Sequence, residues 1–189
     1  MSVISNTVLY VDTANYLNVI GEVANTTARP VGFVIVTVTF YDGGHQFLTT
    51  DYTYLYLEHL PSGDRTCFHL RLSEPAGWTS YEFAAPTYTS SDQGPPNLAL
   101  LAPAGAYRAD THKYTLSGQA RNDEGGTVAG AQAVGTLYNA AGAPVGCDYA
   151  GVDSNDLAPG QTSAFSMPFG ARDFADVASW RLQLDGDPR

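Results

Sequence analysis

The chain has 189 residues, of which 44% are apolar and 15% charged, and it contains 19 glycines and 11 prolines. This composition predicts a packed, turn-rich globular fold and excludes wholesale disorder. The formal net charge of -10 repels phosphate backbones and anionic lipid surfaces, so nucleic acid is excluded as a partner.

No stretch approaches the roughly twenty consecutive apolar residues that span a bilayer. The opening MSVISNTVLY has neither a basic start nor an apolar signal core. We therefore expect no membrane insertion of these residues. If the natural protein is exported, we expect its signal or anchor to precede residue 1.

In chain order, the first predicted strand carries Val19, Gly21 and Val23 on one face. The second is the stretch VIVTVTFY, whose alternation has the period of two that is typical of a β-strand. We expect its uniformly apolar set to face the core, and that set is Val34, Val36, Val38 and Phe40.

The stretch DYTYLYLE follows, in which Tyr52, Tyr54 and Tyr56 alternate with a threonine and two leucines. If the leucine face is core, three phenol rings line up in the open and can stack on sugar rings or on a protein partner. The alternative is that these tyrosines are ordinary strand residues that cover half-buried surface.

The stretch APTYTSSDQGPPN near the middle of the chain has the Pro, Gly and Ser content of a linker. We place a domain boundary near Ser91, which predicts a first domain over residues 1–90 and a second over residues 91–189.

The second half repeats the first. Gly118 follows Gly21 by 97 positions, and from there GEVANTTARPVGFVIVTVTFYD aligns with GQARNDEGGTVAGAQAVGTLYN without a gap. The same offset later pairs Leu60, Gly63 and Phe68 with Leu157, Gly160 and Phe165.

The repeated core strand has smaller inward residues, which are Ala131, Ala133, Gly135 and Leu137. We expect larger side chains from elsewhere to fill the second core, and the candidates are Phe165, Phe169, Phe174 and Trp180.

Short strands separated by turn signals in both halves predict an all-β fold of two tandem Ig-like antiparallel β-sandwich domains, with about seven strands each. Self-similarity at this period suits tandem domains rather than a solenoid. The segment GARDFADVASW is expected to form one short helical turn at most.

These motifs resemble the FxLYD family, small Ig-like domains found in bacterial and archaeal envelope or secreted proteins. The resemblance is carried by VIGEVANT, TVTFYD and the later Leu60, Gly63 and Phe68, and in the second half by LSGQARN, GTLYN and LAPGQTSAF. It implies an extracellular or envelope location and no catalytic residues. The sequence departs from the name motif at Val38, Phe40, Gly135 and Asn139.

The two cysteines, Cys67 and Cys147, fall one in each half, so neither half can hold an internal disulfide. We expect them to be small buried hydrophobic residues.

Asn25 lies in NTT, formally a glycosylation acceptor, but the matching Asn122 lies in NDE, which is not one. The shared asparagine is better explained as a strand-end residue whose side chain bonds its own turn. Asp42 and Asn139 admit the same interpretation.

Signatures of common chemistry are missing from the sequence: it has no serine nucleophile elbow, metal-spaced cysteine pair or phosphate-binding glycine loop. His59 and His69 are candidates to converge from adjacent strands, although ordinary strand histidines explain them as well. The acids of DYAGVDSND are candidates for calcium, or for a solvated turn, and they are Asp148, Asp153 and Asp156. We predict no metal and no cofactor.

The function that these observations favour is a non-enzymatic extracytoplasmic binding or spacer module, with an unknown protein or glycan at the cell envelope as its partner. The alternative is a glycan-acting hydrolase or an accessory carbohydrate-binding domain. A hydrolase would need two carboxyl groups facing each other across about 5 to 9.5 Å, and the acids near the tyrosine row are Asp51, Glu58 and Asp64.

Overall fold

The computed structural model describes residues 1–154 and 156–189, and it is an all-β protein built from four antiparallel sheets. The strands of the first half are β1 (Ser2–Val3), β2 (Val8–Val11), β3 (Tyr16–Ala24), β4 (Val31–Asp42), β5 (Phe47–Tyr54), β6 (Arg65–Ser73), β7 (Trp78–Phe83) and β8 (Thr87–Ser90). Those of the second half are β9 (Leu98–Arg108), β10 (Lys113–Asn122), β11 (Val128–Asn139), β12 (Pro144–Gly151), β13 (Asp156–Leu157), β14 (Thr162–Phe169) and β15 (Val177–Pro188).

The first half is a sandwich of two sheets, which we call A and B. In sheet A, β3 is central, with β6 on one edge and with β1 and β2 in succession along the other. In sheet B, β4 is central, with β5 on one edge and with β7 and β8 along the other. The set predicted to face the core is buried, because Val34, Val36, Val38 and Phe40 are each at most 1% exposed.

The second half repeats this arrangement in sheets C and D. Sheet C has the order β14-β10-β9, and in sheet D the central β11 pairs with β12 and β13 on one edge and with β15 on the other. Strand pairing in A and B uses residues 2–90, and pairing in C and D uses residues 98–188. Whether residues 1–90 and 91–189 fold as separate domains stays a prediction.

Larger side chains compensate for the small inward residues of β11, as predicted. A Cβ atom added at Gly135 would lie 2.7 Å from the Met167 sulfur and 2.9 Å from a Leu116 methyl group, so these side chains occupy that space. The three candidate phenylalanines are also buried, and they are Phe165, Phe169 and Phe174. The segment before β15 forms turns and bends, and no helix occurs within the described residues, so none there is long and apolar enough to cross a membrane.

The outer face of β11 is buried as well, which the alternation did not indicate. Val134 and Thr136 are each 1% exposed and Tyr138 is 8% exposed, although all three point away from the core of their own sandwich. They are covered because sheet D of the second half lies against sheet A of the first, where Val134 joins the apolar cluster of the first half.

A disulfide crosses this contact between the halves. Cys67 on β6 and Cys147 on β12 are bonded, with their Cα atoms 5.8 Å apart, and they are 0% and 3% exposed. The expected burial of the two cysteines is confirmed, and the bond between them is what the sequence did not indicate. The two cysteines meet because each lies on the outer face of its sheet, an arrangement that considering each half separately could not show.

The repeated turn residues act as expected. The buried Asn25 donates from Nδ2 to the carbonyls of Arg29 (2.8 Å) and Leu60 (3.0 Å). Asn122 donates in the same way to the carbonyls of Gly126 and Leu157, both at 2.8 Å. Because this buried amide nitrogen already donates to two carbonyls, the Asn25 side chain is not accessible as a glycan acceptor.

Candidate binding surface

The outer face of sheet B carries the candidate tyrosines. Strand β5 places Tyr52 and Tyr54 on this face, where they are 55% and 52% exposed. Their rings meet edge to face with centroids 5.9 Å apart. Because Tyr52 pairs with Thr37 and Tyr54 with Ile35 of β4, the rings lie beside hydroxyl and aliphatic groups.

Tyr56 does not continue the row, which corrects the expectation of three exposed rings. Strand β5 ends at Tyr54, and beyond it Leu55 and Leu57 turn into the core at 8% and 3% exposure. The Tyr56 ring lies against Tyr149 of the second half with centroids 4.7 Å apart. Burial, reinforced by the Asp148 carboxylate and the Tyr149 phenol, raises the pKa of Tyr56 to about 12. This tyrosine belongs to the contact between the halves.

A third exposed ring, Phe33, was missed by the sequence reasoning. It is 74% exposed and has a φ of 49°, a left-handed backbone conformation that is rare for a bulky residue. The pairing of β4 with β8 shifts register just here, between Gly32 and Ile35. Gly32 is required because an added Cβ would lie 2.6 Å from the Glu58 carbonyl oxygen. The one signal in the sequence was a glycine interrupting an otherwise strong strand pattern.

Phe33 and Tyr54 flank a surface cleft of about 390 Å³. Its other walls are Leu55, Leu57 and Glu58. The cleft is therefore mostly apolar, with one carboxyl group at its rim. Strained backbone that holds an aromatic ring in solvent is a feature that clusters at ligand-binding sites.

The acids near this face are engaged separately. Asp51 accepts a hydrogen bond from the backbone N–H of Tyr52 at 2.8 Å. Asp64 binds Arg181 of the second half at 2.6 Å. Burial raises the pKa of Glu58, and the nearby Asp187 and Asp185 carboxyl groups raise it further.

Two further buried carboxylates join the halves. Glu22, which is 0% exposed, accepts a hydrogen bond from the Tyr138 hydroxyl at 2.7 Å and faces the Arg65 guanidinium at 3.4 Å. Asp185, also 0% exposed, accepts from the backbone N–H of His59 and contacts Nδ1 of the same residue, both at 3.0 Å. These groups hold the contact between the halves and face no open cleft.

The candidate metal residues are dispersed. His59 binds Asp185, whereas Nε2 of His69 lies 2.8 Å from Oδ1 of Asn18. Of the acids proposed for calcium, Asp156 pairs with Arg189 at 3.6 Å, and Asp148 faces Tyr56. Across the part of the chain that the structure describes, no three His, Cys, Asp or Glu side chains form a group able to hold a metal ion.

Comparison with solved structures finds β-rich counterparts at low similarity. The exo-chitosanase of Amycolatopsis orientalis matches 96% of this chain over 25% of its own, with 12% sequence identity and a TM-score of 0.33. Red sea bream transglutaminase matches 97% of this chain over 29% of its own, with 12% identity and a TM-score of 0.32. The chain thus spans between a quarter and a third of the length of these enzymes.

No protein-family model matches the chain, and no curated protein matches it. The fold and the surface together define a class, an all-β protein of repeated antiparallel sandwiches with an exposed aromatic cluster. The FxLYD resemblance stays a prediction that rests on the motif residues alone.

Proposed function

We propose that this chain is a non-enzymatic module that works outside the cytoplasm and binds a neutral glycan. The observation that carries the proposal is a set of three exposed rings: Tyr52 and Tyr54 meet edge to face on the outer face of sheet B, and Phe33 lines a cleft beside Tyr54. We call these three residues the aromatic cluster.

The chemistry of the aromatic cluster favours a sugar. Flat rings stack on the apolar faces of pyranose units, and hydroxyl groups beside them can bond the sugar hydroxyls. Thr37 lies beside Tyr52, and the hydroxyls of Thr39 and Thr50 lie 2.9 Å apart on the same face. The net charge of -10 disfavours acidic polysaccharides, so the ligand is expected to be neutral.

The disulfide supports the location. Structural disulfides persist in oxidising compartments and are rare in the cytosol. The bond between Cys67 and Cys147 is therefore the chemistry expected of an exported protein. It also ties the halves together, as a spacer between other modules would require.

The test is binding of purified protein to neutral polysaccharides such as xylan, mannan, cellulose and chitin, measured by calorimetry or pull-down. Each stacked ring is expected to contribute about 0.5–1.5 kcal/mol. Replacing any one of Phe33, Tyr52 or Tyr54 by Ala should therefore weaken binding by about 2- to 10-fold, and the triple variant should lose it.

A matched control is Phe47→Ala, which removes a ring that is 64% exposed at the opposite end of β5. It should leave binding unchanged. Binding that survives in the triple variant would locate the site elsewhere, and a lack of binding to every neutral polysaccharide would leave the spacer function alone.

The alternative, a glycan-acting hydrolase, makes a distinct prediction in the same assay. A hydrolase would release reducing sugar from one of these polysaccharides, and Glu58→Gln would abolish that release. The engagement of the acids near the tyrosines argues against it, because Asp51 accepts from the backbone N–H of Tyr52 and Asp64 binds Arg181 rather than facing another carboxyl group.

A further inference from the structure

A second surface, separate from the aromatic cluster, lies along one side of the first sandwich. It is a groove of about 610 Å³ between the N-terminal segment of sheet A and the β7 side of sheet B. Its apolar lining includes Val3, Ile4, Tyr81, Phe83, Ala84 and Pro86.

The groove exposes side chains that point toward the core. Tyr81 is paired with Phe40 and Phe83 with Val38, and both partners belong to the inward set of β4. The Phe83 ring lies 5.6 Å from that of Phe68, yet Tyr81 and Phe83 are only half-buried. The sandwich is therefore open at this side, where a further strand would ordinarily cover such rings.

The strands that border the groove have free edges. In the described pairing, β7 and β8 bond to β4 on one side, and β1 bonds to β3 on one side. A free strand edge presents unpaired backbone N–H and C=O groups, which form a template for an added strand. The groove thus combines apolar side chains with unpaired backbone N–H and C=O groups at its edge.

In the second half a side chain bridges the two sheets at the same place, although it is itself only half-buried. Trp180 corresponds to Tyr81, since each pairs with the last inward residue of its central strand. An added Cβ at Gly105 would lie 2.5 Å from Trp180 Nε1, so the indole lies directly on β9. Strand β9 is continuous over residues 98–108, whereas its counterpart breaks into β1 and β2 around residues 4–7. The break leaves the first half open.

The lack of charged side chains in the groove limits the kind of segment that can bind there. None of the side chains that line it is Asp, Glu, Lys or Arg, in a chain whose net charge is -10, and the α-amino group of Met1 at its edge already donates to the Thr26 hydroxyl at 2.8 Å. We propose that this groove accepts an extended, uncharged segment of a partner protein, which adds to β7 as a strand. Apolar side chains at alternate positions of that segment would rest on Tyr81 and Phe83.

The test uses a fluorescent peptide of neutral alternating sequence, Gly-Thr-Val-Asn-Val-Ser-Val-Thr-Gly, titrated into the full chain. The peptide should bind, and replacing its central valine by proline should weaken binding at least 10-fold, because proline cannot donate to a strand ladder. Ala84→Glu, which places a charge at an exposed position of the groove wall, should weaken it similarly.

The matched control is Ala178→Glu, at an exposed alanine on β15 in the second half, which should bind as wild type does. Thermal melting should confirm that both variants fold. Failure of the peptide to bind, or equal binding by the proline peptide or by Ala84→Glu, would overturn the proposal. Sedimentation showing a dimer that Ala84→Glu dissociates would overturn it in favour of a second copy as the occupant.

Discussion

At the scale of single residues, the repeated asparagines show how one side chain closes a turn. The amide of Asn25 or Asn122 donates to two carbonyls, and its oxygen accepts from the backbone N–H of Thr27 or Glu124. Each side chain thereby joins the end of β3 or of β10 to a carbonyl 35 residues further on. A buried amide with these partners is costly to remove.

Replacing Asn25 or Asn122 by Ala should lower the free energy of unfolding by about 1–3 kcal/mol, because buried carbonyls are left unpaired. Denaturant unfolding measures the effect. The exposed Asn97 provides the control, since Asn97→Ala should cost little. Equal effects at all three positions would contradict the assigned role.

Tyr138 is the second residue whose chemistry leads to a prediction. Burial raises the pKa of Tyr138 to about 12, and its hydrogen bond to Glu22 raises it too. Below pH 10 the phenol is protonated in both the folded and the unfolded states, so its contribution to stability is complete. Between about pH 10 and pH 12 the unfolded chain releases the proton first, so stability falls as pH rises.

The prediction is tested by urea unfolding at intervals from pH 9 to pH 12. Tyr138→Phe should be less stable at pH 9, because a hydrogen bond to a buried carboxylate is lost, and its stability should fall less steeply above pH 10. Parallel curves for the variant and the wild type would show that the phenol of Tyr138 does not titrate as proposed.

At the scale of elements, β4 and β11 show one strand pattern in two environments. Both bury their inward sets, but β11 also buries its outer face against the first half, whereas Thr37 and Thr39 of β4 are only half-buried. The outer face of β4 lies on the side of the aromatic cluster. The outer face of β11 therefore packs against the first half, whereas the outer face of the equivalent strand β4 forms part of the candidate binding face.

Phe40→Ala and Leu137→Ala should each lower the free energy of unfolding by about 2–5 kcal/mol, since both remove fully buried core side chains. Thr39→Ala, on the outer face of β4, should cost far less. Chemical denaturation of the three variants measures this, and equal small losses would mean that the core face of the strand is wrongly assigned.

At the scale of the whole molecule, the disulfide joins two sandwiches that the chain also connects through residues 91–97. Cys67 and Cys147 are 80 positions apart, so the bond closes a long loop in the unfolded chain. Loop-closure entropy for a loop of that length corresponds to about 4.5 kcal/mol of stabilisation. The buried carboxylates Glu22 and Asp185 reinforce the same contact.

Limited proteolysis should cut the exposed residues Asp92, Gln93 and Gly94 first. On a denaturing gel, the cut protein should run as one species without reductant and as two species with reductant, because the disulfide still joins the halves. Cys67→Ala combined with Cys147→Ala should separate without reductant. Unfolding of the isolated halves then tests whether residues 1–90 and 91–189 are separate domains, since a split that leaves both unfolded would refute that division.

Local patterns in the sequence determined the β class, the repeat and its register, the core faces of β4 and β11, and the turn role of Asn25 and Asn122. These features depend on alternation and on turn chemistry within a few residues, which the sequence displays directly. The pairing of Cys67 with Cys147, the burial of Tyr56, the exposure of Phe33 and the open groove were decided only by the tertiary structure. Each depends on how surfaces from distant parts of the chain meet or fail to meet, and such contacts leave no periodic trace in the sequence.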